Sequence, residues 1–157
     1  MIPKIGITED HLKAANKLLS VVLSDEMTLY VKTRKFHWNV TGQSFMELHK
    51  LLEAQYTEIE IIIDEVAERI GKLGGKTIGT MSEFSSLSRI VEHPNQYPVQ
   101  KTMLTELLSD HEILISELRK DIDICANDNH DAGTADLLTG ILQQHETNAW
   151  ILRRYLN

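Results

Sequence analysis

The chain has 157 residues, 42% of them apolar and 25% charged, which fits one domain with a real core. A formal net charge of −7 argues against a generally basic nucleic-acid-binding surface, and the one cysteine, Cys125, excludes an internal disulfide and fits a reducing compartment. No basic-then-apolar leader opens the chain, and no apolar run approaches the roughly 20 residues of a membrane span, so a cytoplasmic protein with no membrane partner is expected.

Glycine and proline are scarce, and the glycines cluster near Gly71 to Gly79 and Gly133 to Gly140, leaving long stretches with helical period. The first helix is expected from about Thr8 to Phe36. Thr8 is its N-cap, two acids open it, and Leu12, Ala15, Leu19, Val22, Leu29 and Phe36 form its apolar stripe. The second begins at Ser44, where Ser44 and Glu47 have capping-box spacing, and runs through Leu52, Tyr56, Ile59, Ile63, Val66 and Ile70 to a stop at Gly71 and the pair Gly74-Gly75. A connecting segment follows, in which Thr80 and Glu83 predict a short helix around Ser82 to Ile90, with loop from Glu92 to Pro98. The third long helix starts near Pro98 and carries Leu104, Leu108, His111, Ile115, Leu118, Ile122 and Cys125. A polar turn spans Asn127 to Gly133. The fourth helix then carries Leu138, Leu142, His145, Ala149, Leu152 and Leu156. Spacings of three and four are the seam pattern of packed helices. The expected fold is all-α: a single domain over residues 1–157, a four-helix bundle whose long crossover holds a short extra helix.

One face of the second helix concentrates candidate ligands. Taking His49 as zero, Glu53, Asp64 and Glu68 lie at roughly 40°, 60° and 100° around the axis. Imidazole with carboxylate suits iron, manganese or zinc. His49 and Glu68 are nevertheless about 28 Å apart along a straight helix, so they cannot share one metal within a chain. Two copies of the helix meeting antiparallel across a two-fold axis would bring the ends together and create two identical sites. His37 closes the first helix beside Trp38, and Tyr30 lies seven residues earlier on the same face. Beside a redox metal, Tyr30 and Trp38 would supply electrons or trap radicals. The plainer readings stand next to these. His111, His145 and Cys125 fall on seams and are expected to be buried, His11, His93 and His130 to be surface residues, and Trp38 and Trp150 to pack.

The segments Lys35-Phe36-His37-Trp38-Asn39-Val40-Thr41-Gly42, Phe45 through Glu53, and Asp64-Glu65-Val66-Ala67-Glu68-Arg69-Ile70 resemble the signature of the Dps family, mini-ferritins of the ferritin-like superfamily. Asp131 through Leu137 and His145 through Trp150 are similar to its last-helix pattern. The resemblance implies a ferritin-like bundle, a homododecameric shell, and two-iron ferroxidase sites between two-fold-related subunits. His37 and His49, with Glu53 beside them, would come from one subunit, and Asp64 and Glu68 from the other. The family position matching Glu53 is often Asp, which leaves direct or water-mediated ligation by Glu53 open. The resemblance also implies iron storage, hydrogen peroxide as the usual oxidant, protection against oxidative stress, and three-fold entry pores lined by residues matching Asp131 and Asp136. Zinc or manganese could replace iron at such a site. No Glu-x-x-His pair of the larger ferritins occurs in the chain, which agrees with an intersubunit centre. The alternatives are a nucleoid-associated DNA-compacting protein with little ferroxidase activity, and a metal-free structural bundle. Lys4 is the only basic residue before the first helix, so DNA binding is expected to be weak or absent.

Overall fold

The computed structural model describes residues 2–157 and is all-helical: α1 Glu9–Asn39, α2 Phe45–Lys72, α3 Met81–Leu87, α4 Gln100–Asp123 and α5 Ala132–Leu156. The helices α1 and α2 pack as one hairpin and α4 and α5 as a second, while α3 lies on α1 within the crossover. No helix among the described residues is long and apolar enough to cross a membrane.

Most helix ends follow from local chemistry. The Thr8 hydroxyl accepts from the His11 amide, with Glu9 and Asp10 in the first turn. Thr80 and Glu83 complete the expected capping box of α3. The box expected at Ser44 does not form. Ser44 has φ −97° and ψ 28°, outside the extended geometry an N-cap needs, and its side chain makes no cap hydrogen bond. Of the glycines expected to stop α2, the pair Gly74-Gly75 does so and Gly71 lies inside the helix. The helix continues to Lys72 and ends where Gly74 takes φ +80°, with the Gly75 amide returning to the Ile70 carbonyl at 2.9 Å. At the same end of the bundle α4 passes into a five-residue π-helical turn, Ile124–Asp128. Gly133 falls in the first turn of α5 instead of the expected loop, because Asp131 caps that helix through the Thr134 amide.

The apolar stripes bury two clusters. One gathers Leu19, Leu23, Ile70, Leu118 and Leu138, the other Leu29, Phe36, Leu52, Leu107 and Leu152. Each fully buried side chain of this kind contributes about 1.5–3 kcal/mol. On α1 and α5 the clusters are separated by polar residues, Glu26 and the pair His145 and Asn148. The crossover is pinned by ion pairs. Arg89 reaches Asp25 at 2.7 Å and Asp121 at 3.0 Å, and Lys32 reaches Asp110 at 2.7 Å and the Val91 carbonyl at 3.1 Å.

His111 and His145 are fully buried, as their seam positions imply. Their Nδ1 atoms approach to 2.9 Å, and His145 Nε2 lies 2.8 Å from Glu26 Oε1. Burial first, and the neighbouring His145 second, hold the His111 imidazole well below its ordinary value. The unfolded chain therefore takes up this proton more readily than the folded one. The stability contributed by neutral His111 is full above about pH 6.5 and declines as pH falls below it. Asp25, Asp110 and Asp121 are raised mainly by burial and act in the opposite sense, gaining stability as they protonate. Urea titrations above and below pH 6.5 are expected to show a lower midpoint on the acid side, and the difference should shrink in His111→Leu. An undiminished difference in that variant would place the titration elsewhere.

Candidate metal centre

The turn between α1 and α2 is short, and Gly42 at φ +112° lets it reverse. The C-terminal turn of α1 then faces the N-terminal turn of α2, and His37 meets His49. Their rings stack at 3.8 Å between centroids and 18° between planes. Each is held by the other's backbone: His37 Nδ1 donates to the His49 carbonyl at 2.8 Å, and His49 Nδ1 donates to the His37 carbonyl at 3.0 Å. A carbonyl only accepts, so both rings carry hydrogen on Nδ1. The two Nε2 lone pairs are left for an external ligand, the usual device by which an outer hydrogen bond sets a metal-binding histidine.

His37 is buried and His49 half-buried, with Phe45 against the His49 ring at 5.1 Å and Tyr56 edge-on to His37 at 5.2 Å. Glu53 is exposed, one helical turn beyond His49. Asp64 and Glu68 are also exposed, on the far half of α2. Glu68 pairs with Lys72 at 2.9 Å, but both side chains are more than half exposed, so this pair is weak and easily exchanged for a metal. Among the described residues no group of three or more His, Cys, Asp or Glu could hold a metal within the chain. The structure thus brings His37 and His49 together and leaves Asp64 and Glu68 apart from them.

The remaining expected residues divide. Tyr30 is half-buried, and its hydroxyl accepts from Arg34 Nη1 at 2.5 Å. Trp38 and Trp150 do not pack within the chain as expected: they are 65% and 54% exposed. Asp131 is engaged within the chain. It is buried, its Oδ1 accepts from Arg69 Nη2 at 2.8 Å and from the Thr134 amide at 3.0 Å, and its Oδ2 accepts from the Thr134 hydroxyl. A carboxylate so occupied serves as an N-cap and ion-pair partner, and a signal for this was already present in its place just before a helical run. Asp136 is exposed and lines an open groove with Glu58 and Glu65. Sequence reasoning placed Tyr56 in the core stripe and missed its contact with His37, although it stands seven residues from His49 and so on the same face. It also missed the buried Glu26.

The sequence matches the ferritin-like domain family over residues 16–157. It is 38% identical to DNA protection during starvation protein 2 of Bacillus anthracis, over 92% of this chain and 98% of that protein. The chain belongs to the Dps branch of the ferritin-like family. Among solved Dps structures, DpsC of Streptomyces coelicolor superposes with a TM-score of 0.95 at 30% identity, covering 100% of this chain and 91% of that one. The Dps of Vibrio cholerae superposes with a TM-score of 0.92 at 27% identity, covering 100% and 98%, and is described as a member of a broad superfamily of ferritin-like diiron-carboxylate proteins. Family membership carries a general role in iron storage and protection.

Proposed function

We propose that this Dps-family chain oxidises Fe(II) at sites shared between two subunits and stores the ferric product inside a hollow homododecamer in the cytoplasm. The supporting observation is the His37–His49 pair: two rings that carry hydrogen on Nδ1 and leave their Nε2 atoms for a ligand, in a chain whose described residues complete no metal site alone. The acids that would complete the site are Asp64 and Glu68 of the partner subunit, brought opposite by an antiparallel two-fold contact. Glu53 stands beside the histidines as a direct or water-mediated ligand.

Iron is the substrate. His37 and His49 bind it through nitrogen and the carboxylates through oxygen, a mixed set that would also take zinc or manganese. The carboxylates offset the charge that rises as Fe(II) becomes Fe(III). With hydrogen peroxide as oxidant, two Fe(II) each give one electron, the O–O bond breaks, and two solvent protons complete two waters. No odd electron is left on oxygen, which is the basis of protection against oxidative stress. Asp136, exposed on α5, would draw Fe(II) toward the interior by its charge. A nucleoid-associated DNA-compacting role is the weaker reading, because a net charge of −7 opposes phosphate binding.

The test is to add Fe(II) anaerobically, then hydrogen peroxide, and follow ferric absorbance beside an oxygen-only sample. Rapid oxidation at about two Fe(II) per peroxide, lost in His49→Ala, is expected. Oxidation no faster than in buffer would move the function toward DNA association or a purely structural shell.

A further inference from the structure

The Tyr56 ring sets its edge against His37 at 5.2 Å between centroids and 79° between planes. Tyr30 stands edge-on behind it at 6.1 Å and 89°. The Arg34 guanidinium joins the group, 4.7 Å from the Tyr56 ring, 5.4 Å from Tyr30 and 5.3 Å from Trp38. A chain of oxidisable rings therefore leads away from a candidate iron ligand, and Tyr56 is its first member. Trp38, the neighbour of His37 in sequence, is largely exposed and meets Arg34 instead.

Arg34 discriminates among these rings. Removing one electron from an indole passes through a radical cation, which a guanidinium over the ring opposes. A phenol loses its proton with the electron and ends neutral, so the same cation hinders it less. The Tyr30 oxygen already accepts a charge-assisted hydrogen bond from Arg34, which holds electron density on that oxygen and resists its oxidation. Tyr56 is the ring set directly against His37, and as a phenol without that hydrogen bond it is the one these effects hinder least.

We infer that Tyr56 is the electron donor of the centre when only one iron is bound, an assignment that rests on the iron-oxidising reading above. Peroxide needs two electrons. Fe(II) supplies one and the Tyr56 phenol the other. The O–O bond breaks, and both oxygens leave as water, using the two hydrogens of the peroxide, the phenolic proton and one proton from solvent. Fe(III) and a neutral Tyr56 phenoxyl radical remain. The hydroxyl radical that a lone Fe(II) would otherwise release is not formed.

The experiment loads the whole protein anaerobically with one Fe(II) per centre, adds one equivalent of hydrogen peroxide, freezes the sample and records its electron paramagnetic resonance. A ferric signal and a tyrosyl signal are expected, the latter lost in Tyr56→Phe and kept in Tyr30→Phe and Trp38→Phe. Ring-deuterated tyrosine in the unaltered protein should narrow the signal, which identifies tyrosine without depending on the folding of any variant. A signal that survives Tyr56→Phe, an indole signal, or ferric iron with no radical at all overturns the assignment while leaving iron oxidation standing. Absence of ferric iron at both one-iron and two-iron loading removes the iron-oxidising reading, and the role of Tyr56 with it.

Discussion

Subunits carrying His49→Ala and subunits carrying Asp64→Ala, each inactive alone, should together recover about a quarter of the native iron oxidation once dissociated, mixed and reassembled. The number follows from two-fold geometry. A mixed dimer has two shared sites: one receives both substitutions, and the other receives intact His49 from one chain and intact Asp64 from the other. Random pairing makes about half the dimers mixed, and half the sites in those are native. A site built within one chain would give no recovery, because every chain carries a defect. The measurement is the initial rate of ferric absorbance for the mixture against each variant. A mixture no better than its parents would sink the shared site. The structure motivates the test directly, since His37 and His49 converge while no third ligand among the described residues joins them.

Glu26→Ala should lower the stability of the bundle by about 3–5 kcal/mol, a large part of the 5–15 kcal/mol that a domain usually has. Glu26 is fully buried, and one of its oxygens meets His145 Nε2 at 2.8 Å. His145 in turn meets His111 at 2.9 Å, so three helices share one polar chain inside the core. Removing the carboxylate leaves a cavity and an imidazole N–H with no acceptor, and both effects are costly in a site that water does not reach. Glu26 Oε2 and His111 Nε2 have no hydrogen-bond partner among the described residues, so the network is already incompletely satisfied before the substitution. Replacing all three residues by leucine should cost much less than Glu26→Ala, because no polar group is then left unpaired. Urea midpoints of the two variants compare the effects. If the triple variant falls as far as the single one, lost packing and not an orphaned polar group is the cause.

The helices were legible because their signals are local. Thr8 and Thr80 each cap a helix whose first turn lies within three residues of them, and the stripes of α1 and α2 repeat every three or four residues. The face carrying His49, Glu53, Asp64 and Glu68 is likewise a property of one helix, as is the distance that forbids Asp64 and Glu68 from reaching His49 in the same chain. Ser44 shows the limit of such reasoning. Its spacing to Glu47 is that of a capping box, yet the tight turn that brings α2 back against α1 gives it the wrong dihedrals.

Other features arise from contacts between residues far apart along the chain. Glu26 and His145 are separated by 119 positions, and nothing near either residue announces the other. Asp131 reads as a free carboxylate until Arg69, 62 positions earlier, is seen to hold it. Tyr56 belongs to an apolar stripe by period, but the α1–α2 hairpin sets it against His37. The reciprocal backbone hydrogen bonds of His37 and His49 depend on the same hairpin. Helical period and end-capping are encoded within a few residues. The protonation of a ring, or the partner of a buried carboxylate, depends on which helices pack together, and cooperative burial of the whole apolar surface sets that.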